Sequence, residues 1–251
     1  MFCVHPVGGL PEIGAGDDLP ALLAARLASG EPAIAPGDIL VVTQKIVSKA
    51  EGRSVTLASV EVSEEARELA ALTRKEPELV ELVLRESSAV VRAVPHVLIT
   101  RHRLGHVMAN AGIDASNLGS KSQESVLLLP EHPDRSATRI AEACHAVTGV
   151  TPGVIISDSF GRPWRVGTTN VAIGVAGPPA VIDQRGQPDR DGRIMQVTQI
   201  AFADSVAGAA GLAMGEGAEG LPACVVRGLA WQQCGQRSSD LLRPEGEDLF
   251  R

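Results

Sequence analysis

Short continuous apolar runs alternate with stretches of helical spacing along this chain. Residues 2–13 predict a short strand running into a Gly/Pro loop. Asp17 and Asp18 open a helix on which Leu19, Leu22, Leu23 and Leu27 share a face, and Pro20 is tolerated in its first turn. After the turn Pro36-Gly-Asp, the run Ile39-Leu-Val-Val-Thr43 predicts a buried strand. Ser63 caps a second helix with Glu64 and Glu65 in its first turn, and Pro77 opens a third through Leu79, Val80, Leu82 and Val83. Residues 88–94, 96–100 and 125–130 predict strands. Residues 133–148 predict an amphipathic helix with Ala137, Ile140, Ala141, Cys144 and Val147 on one side. Residues 154–158 predict a strand and 160–165 the loop after it. Strands follow at 170–175 and 180–183, then a polar turn at 186–192, one long Ala/Gly-rich helix over 194–213 and a strand at 223–227. Strands alternating with helices give the expected class: α+β, mixed α/β sheets with helices. One domain over 1–251, divisible into two subdomains, accommodates the length.

Composition narrows the function. Aromatic residues make up 2% of the chain and Tyr is absent, so the core is expected to be aliphatic and base-stacking platforms for nucleic acid are not expected. The formal charge of −7 argues against a general polyanion-binding surface. It leaves room for an anionic small substrate if bound metal ions invert the local charge. Cys3, Cys144, Cys224 and Cys234 form no C-x-x-C pair and are too scattered for a disulfide framework. No basic segment followed by an apolar run marks a secretory signal, and no stretch approaches the roughly 18 apolar residues of a membrane span. The expectation is a cytoplasmic protein with reduced thiols, no membrane and no nucleic-acid partner.

Candidate chemistry gathers at two acidic elements. Asn110-Ala-Gly-Ile-Asp-Ala-Ser-Asn117 places Asp114, Ser116 and Asn117 in a small-residue context, and residues 154–158 deliver Asp158 at the end of a strand. Asp is common in turns because its side chain caps local backbone. Ligand sites in α/β sheets nonetheless gather at the carboxyl ends of strands, and paired carboxylates suit a hard cation on a phosphate substrate. Lys45 and Lys49 follow the strand at 39–43, either as solvated helix lysines or as phosphate contacts. Arg101, His102, Arg103 and His106 form a basic cluster that a hairpin edge or an anion contact would explain. Arg162 and Arg165, with Trp164, flank Asp158. Gly215-Glu-Gly-Ala-Glu-Gly220 matches G-x-G-x-x-G, but it follows a helix and precedes a strand, the reverse of the dinucleotide fingerprint. Its Glu216 and Glu219 are candidates for holding a metal, and its backbone for approaching phosphate. A Walker A loop, an H-E-x-x-H pair and a G-x-S-x-G elbow are all missing from the sequence.

Four ordered motifs carry a resemblance. They are Gly37-Asp-Ile-Leu-Val-Val-Thr-Gln-Lys-Ile-Val-Ser-Lys-Ala-Glu-Gly52, the 110–117 segment, Ser157-Asp-Ser-Phe-Gly-Arg-Pro-Trp-Arg165 and Met214-Gly-Glu-Gly-Ala-Glu-Gly-Leu-Pro222. Together they resemble the coenzyme F420-0:L-glutamate ligase family, from about residue 7 to 228 with a family-like tail at 243–250. The resemblance implies a homodimer on a non-P-loop fold. The implied reaction is GTP-dependent addition of L-glutamate to F420-0 and then of γ-linked glutamates, through an acyl phosphate, with two Mg²⁺ or Mn²⁺ ions and stimulation by K⁺. By motif, Leu10, Pro11, Glu12 and Ile13 would line the guanine nucleotide site, and Gln44, Lys45 and Lys49 would contact its phosphates or base. Asp114 and Asp158 would hold one metal, with Asn117 on the nucleotide. Ser159 and Glu216 would hold the other, and Met214, Gly215, Glu216, Gly217, Ala218, Glu219, Gly220 and Leu221 would wrap the nucleotide. Asp114, Asp158 and Lys49 are then the catalytic candidates. The family commonly has Thr where this chain has Ser159, and the hydroxyl is kept. The nitroreductase-like domain fused to some bacterial members has no counterpart in these 251 residues. Two alternatives stay open: a related ligase with another acceptor acid, and a GTP- or F420-binding module without ligase activity.

Overall fold

The computed structural model describes residues 1–114 and 125–248. In chain order the strands are β1 (Cys3–Pro6), β2 (Ile39–Thr43), β3 (Ser54–Thr56), β4 (Ser87–Val94), β5 (Val97–His102), β6 (Val107–Ala109), β7 (Ser125–Leu127), β8 (Gly153–Arg162), β9 (Arg165–Ala176), β10 (Val181–Asp183), β11 (Gln199–Ala201) and β12 (Ala223–Arg227). The helices are α1 (Leu19–Ser29), α2 (Gln44–Ala50), α3 (Glu64–Thr73), α4 (Pro77–Arg85), α5 (Pro133–Thr148) and α6 (Phe202–Met214). Helices and several separate sheets make the class α+β.

Apolar residues on both faces make β2, β8 and β12 the centre of the main sheet. Its order is β1-β12-β2-β8-β9, with β2 and β8 parallel and every other pairing antiparallel. Leu40, Val42, Val154, Ile156 and Val225 point to one face, where α1 and α5 cover them with Leu23, Leu27, Ile140 and Cys144. Ile39, Val41, Ile155, Cys224 and Val226 point to the other, under Val206, Ala207 and Ala210 of α6. Burial on both faces explains why these strands read as continuous apolar runs. Burying one such aliphatic side chain contributes about 1.5–3 kcal/mol.

A second region stands beside this layered core. Strands β4, β5 and β6 form a meander, and β3 pairs with β7. Helices α3 and α4 pack there on Leu98 and Ala111, with Val80 and Val83 filling the interior. The Ser63 side chain accepts from the Ala66 N–H at the start of α3, a cap of about 1 kcal/mol.

Strands β3 and β6 have no counterpart in the sequence pattern, the strand predicted over 125–130 ends at Leu127, and the two largest departures lie elsewhere. The stretch predicted as a loop at 160–165 continues β8 to Arg162, because β9 pairs along its whole length and only Pro163 and Trp164 make the turn. Trp164 sits there at φ 60°, a left-handed value that Gly usually fills. The long helix predicted over 194–213 is helical only from Phe202, and β11 pairs with β10 before it. Ile194, Val197 and Ile200 recur every third residue and imitate a helical face, but β-branched side chains favour extended backbone. Among the described residues no helix is long and apolar enough to cross a membrane.

Candidate active site

The parallel pair ends with Thr43 opposite Ser157, and α2 starts at the next residue. The carboxyl ends of these strands face a cleft of about 900 Å³. Asp158 and Ser159 form part of its lining, with Asn170 beside them on β9 and Lys45 and Lys49 from α2. Residues 10–13 and 214–221 complete the walls, so Leu10, Pro11, Glu12 and Ile13 face Met214, Gly215, Glu216, Gly217, Ala218, Glu219, Gly220 and Leu221 across the same space.

Asp114 reaches this place through an unusual turn. Asn110, Ala111 and Gly112 are consecutive left-handed residues at φ 50°, 52° and 69°. A left-handed Ala costs about 1–2 kcal/mol, so the packing of the fully buried Ala111 must hold it there. The next residues are anchored: the Asp114 N–H donates to the Leu127 carbonyl at 3.0 Å, and the Leu127 N–H returns the bond at 2.8 Å. The Asp114 carboxylate then lies 2.7 Å from Lys45 Nζ. Lys49 Nζ lies 2.7 Å from the exposed Glu12 carboxylate. Asn170 Nδ2 donates to Glu216 Oε1 at 2.7 Å, while Glu219 folds back to accept from the Gly217 N–H at 2.8 Å.

Asp158 is the electrostatic centre. Removal from water pushes its carboxyl up to about 7; Asp114 and Glu216 push in the same direction, against the Ser159 N–H and Lys45. Negative charge thus outweighs positive charge around Asp158. Among the described residues no three His, Cys, Asp or Glu side chains stand close enough to hold a metal as they are. Asp114 is turned onto Lys45 and Glu216 onto Asn170. The donor set nonetheless fits a hard divalent cation: carboxylate oxygens from Asp114, Asp158 and Glu216, the Ser159 hydroxyl, and an excess of negative charge.

Not every sequence candidate stands at the cleft. Gln44 is fully buried behind the wall, accepting from Ser48 Oγ at 2.8 Å. Asn117 lies outside the described residues. Arg162, Trp164 and Arg165 are exposed at the β8–β9 turn. Within the basic cluster, His102 and Arg103 serve the second region. Glu86 gathers Arg53 at 2.8 Å, Arg103 at 3.2 Å and, through a long 3.4 Å contact, the fully buried His102. Burial raises Glu86, but His102, Arg53 and Arg103 together bring it down to about 2. Arg101 approaches Asp248 at 3.9 Å. His106 packs edge-on against Phe160, ring centroids 5.8 Å apart, and burial lowers it to about 4. Asn170 was legible only as a strand residue, and its sole sequence signal is a polar side chain opening an apolar run.

Comparison with known proteins points to one family. A family model described as F420-0:Gamma-glutamyl ligase covers residues 9–228. A protein of Methanothermobacter thermautotrophicus named coenzyme F420:L-glutamate ligase is 42% identical over 250 residues, 98% of this chain and 97% of that one. Proteins of the same name from Archaeoglobus fulgidus and Natronomonas pharaonis are each 43% identical, over 99% and 98% of this chain and 96% and 93% of theirs. With a model match across most of its length and relatives aligned nearly end to end, the chain belongs to the F420-0:gamma-glutamyl ligase family.

Proposed function

We propose that this protein joins L-glutamate to the carboxylate of F420-0, and then adds γ-linked glutamates, with GTP as the activating nucleotide. The observation that carries the reading is the meeting of Asp158, Ser159 and Glu216 with Lys45 and Lys49 in one cleft large enough for a nucleotide and an acceptor. A carboxylate is a poor acylating agent. In the proposed sequence an acceptor carboxylate oxygen attacks the γ-phosphorus, the bond to the β-phosphate oxygen breaks, and GDP leaves with that electron pair. The acyl phosphate then meets the glutamate amine. The C–N bond forms, inorganic phosphate departs, and the amine gives up its proton.

The chain's own part is to bind, orient and neutralise. Lys45 and Lys49 stand where polyphosphate oxygens would compete with Asp114 and Glu12 for them. The segment 214–221 wraps the nucleotide with backbone that Gly215, Gly217 and Gly220 leave open. Asp114, Asp158, Ser159 and Glu216 would hold two Mg²⁺ or Mn²⁺ ions. When bound, those ions supply the positive charge that a chain of net charge −7 lacks at this site. Stimulation by K⁺, a homodimeric state and a cytoplasmic setting belong to the same proposal.

Mass spectrometry of a reaction containing F420-0, GTP and L-glutamate tests it. The expected product is heavier than F420-0 by one glutamyl residue, with GDP and phosphate formed in equal amounts. Unchanged F420-0 with a well-folded enzyme and added Mn²⁺ would rule out this acceptor.

A further inference from the structure

Asn170 is a polar side chain of the cleft to which the proposed reaction gives no role. Strand register sets it opposite Ser159, the neighbour of Asp158. Its Nδ2 donates at 2.7 Å to Oε1 of Glu216. Glu216 lies between α6 and β12, in backbone belonging to neither a helix nor a strand. The other carboxylate of that segment, Glu219, also lines the cleft but is folded back locally onto the Gly217 N–H. A sheet residue therefore tethers one of the segment's two cleft carboxylates, Glu216.

The tether has a shaped seat. Helix α6 crosses β9 above Asn170 with Gly208 and Gly211 at the crossing. A methyl group on Gly211 would collide with the Asn170 side-chain amide, and one on Gly208 would touch the Asn170 carbonyl oxygen at 3.7 Å. The side chain of Asp204, in the first turn of α6, accepts from the Ala172 N–H at 2.8 Å and fixes helix and strand together two residues along. The donor is thus held by a ladder pair, a helix contact and a neighbouring hydrogen bond.

We infer that Asn170 is a positioning residue that holds the Glu216 carboxylate beside Ser159 and Asp158 for a divalent cation, with Gly211 providing the space it needs. The inference rests on the reading of Glu216 as a cation ligand. An amide suits the task because it donates to one carboxylate oxygen and leaves the other for the ion. Asp at this position would set two carboxylates against each other. Ala would leave Glu216 free to rotate away. Partners of this kind alter metal affinity roughly 10- to 100-fold when removed.

Calorimetric titration of the full chain with Mn²⁺ alone, without nucleotide, provides the test. Asn170→Ala is expected to weaken Mn²⁺ binding roughly 10- to 100-fold while the melting temperature stays near that of the unaltered protein. In turnover, the Mn²⁺ needed for half-maximal rate rises. The rate recovers at saturating Mn²⁺, and KM for glutamate does not change. Gly211→Ala, which alters no lining residue, shifts Mn²⁺ binding in the same direction. If it fails to fold, Asn170→Ala decides the matter alone. Glu216→Gln separates the two levels of the argument. Loss of Mn²⁺ binding in Glu216→Gln with unchanged binding in Asn170→Ala overturns the positioning role and leaves the ligand reading intact. Unchanged binding in Glu216→Gln removes the ligand reading itself. A lowered melting temperature in Asn170→Ala, with Mn²⁺ affinity unchanged, makes Asn170 structural only and also overturns the inference.

Discussion

Glu86 and Asp158 are both carboxylates drawn out of water, and they end at opposite extremes. Glu86, in the second region, is surrounded by Arg53, Arg103 and His102 and falls to about 2. Asp158, at the cleft, has Asp114 and Glu216 as charged neighbours against Lys45 and rises to about 7. Burial penalises the ionised form in both and more heavily at Asp158, and the company each keeps then widens the difference. A carboxylate whose partners are all supplied by the protein holds the structure together. A carboxylate left with an excess of like charge is suited to a partner from outside, which at Asp158 is the cation of the proposed function. The contrast separates the basic cluster at 101–106 from the proposed catalytic residues, although it lies close in sequence to Asp114.

Exchanging each carboxylate for its amide should give opposite results. Asp158→Asn is expected to lower glutamate-dependent GDP release roughly a thousandfold, the scale on which preorganised charge at a reaction centre matters. Its melting temperature should hold or rise, because one member of a repelling group is gone. Near-normal turnover would show that Asp158 is not the centre of the site. Glu86→Gln should do the reverse. Arg53 and Arg103 would lose their shared partner in a place where the Glu86 side chain is only 12% exposed, and breaking such a pair costs about 3 kcal/mol. Urea denaturation of the variant would measure that loss, while kcat per folded molecule stays unchanged. A fall in kcat with full stability would erase the division between the two regions.

Acid titration of stability sharpens the same contrast. His106 lies against Phe160, and burial depresses it to about 4 from an ordinary 6.5, against the pull of Asp134. Below pH 6.5 the unfolded chain takes up a proton at His106 that the folded chain refuses, so stability falls on the way to pH 4 and this loss then levels off. The shift corresponds to about 3 kcal/mol. Glu86 acts lower. Its contribution is complete above its unfolded value near 4.5 and is lost as the pH falls toward its folded value of about 2. Asp158, held up at about 7, gains stability over the same window in which His106 loses it, so the contrast is read in an Asp158→Asn background, where urea midpoints measured from pH 7 downward should decline in two successive stages. His106→Gln should flatten the first and leave the second.

Local chemistry decided how much of this was legible beforehand. Helix α5 was readable to the residue, since Pro133 starts it and Gly149, at φ 73°, ends it. Strands β2 and β12 were readable as apolar runs, each preceded by turn residues. Beyond Asp158 the sequence Ser-Phe-Gly-Arg has no pattern of its own, and pairing with β9 makes it a strand. The same long pairing brings Asn170 to Ser159, which no spacing along the chain announces. Glu86 was invisible for a similar reason: its partners come from positions 53, 102 and 103, which meet only in the fold. Asp114 and Asp158 were readable as a pair because each follows a local cue, a small-residue turn and the end of an apolar run. Their neighbour Gln44 had the same strand-end cue and yet is buried behind the wall.

A third carboxylate isolates burial from pairing. Asp183, at the end of β10, is gripped by Arg185 through contacts of 2.5–3.0 Å and is lowered to about 2, led by the Arg185 side-chain bonds. In this respect it matches Glu86. It differs in being open to water, where solvent and salt screen the pair and its ionised form has lost little hydration to begin with. If a full set of partners were enough to make a carboxylate structural, Asp183→Asn would cost as much as Glu86→Gln. If burial sets the scale, Asp183→Asn should move the melting temperature by no more than about 1 °C, as most surface substitutions do. Differential scanning calorimetry of the two variants at one pH and salt concentration would distinguish these outcomes. Equal losses would mean that the depth of Glu86 is incidental, and that the contrast with Asp158 is one of pairing alone.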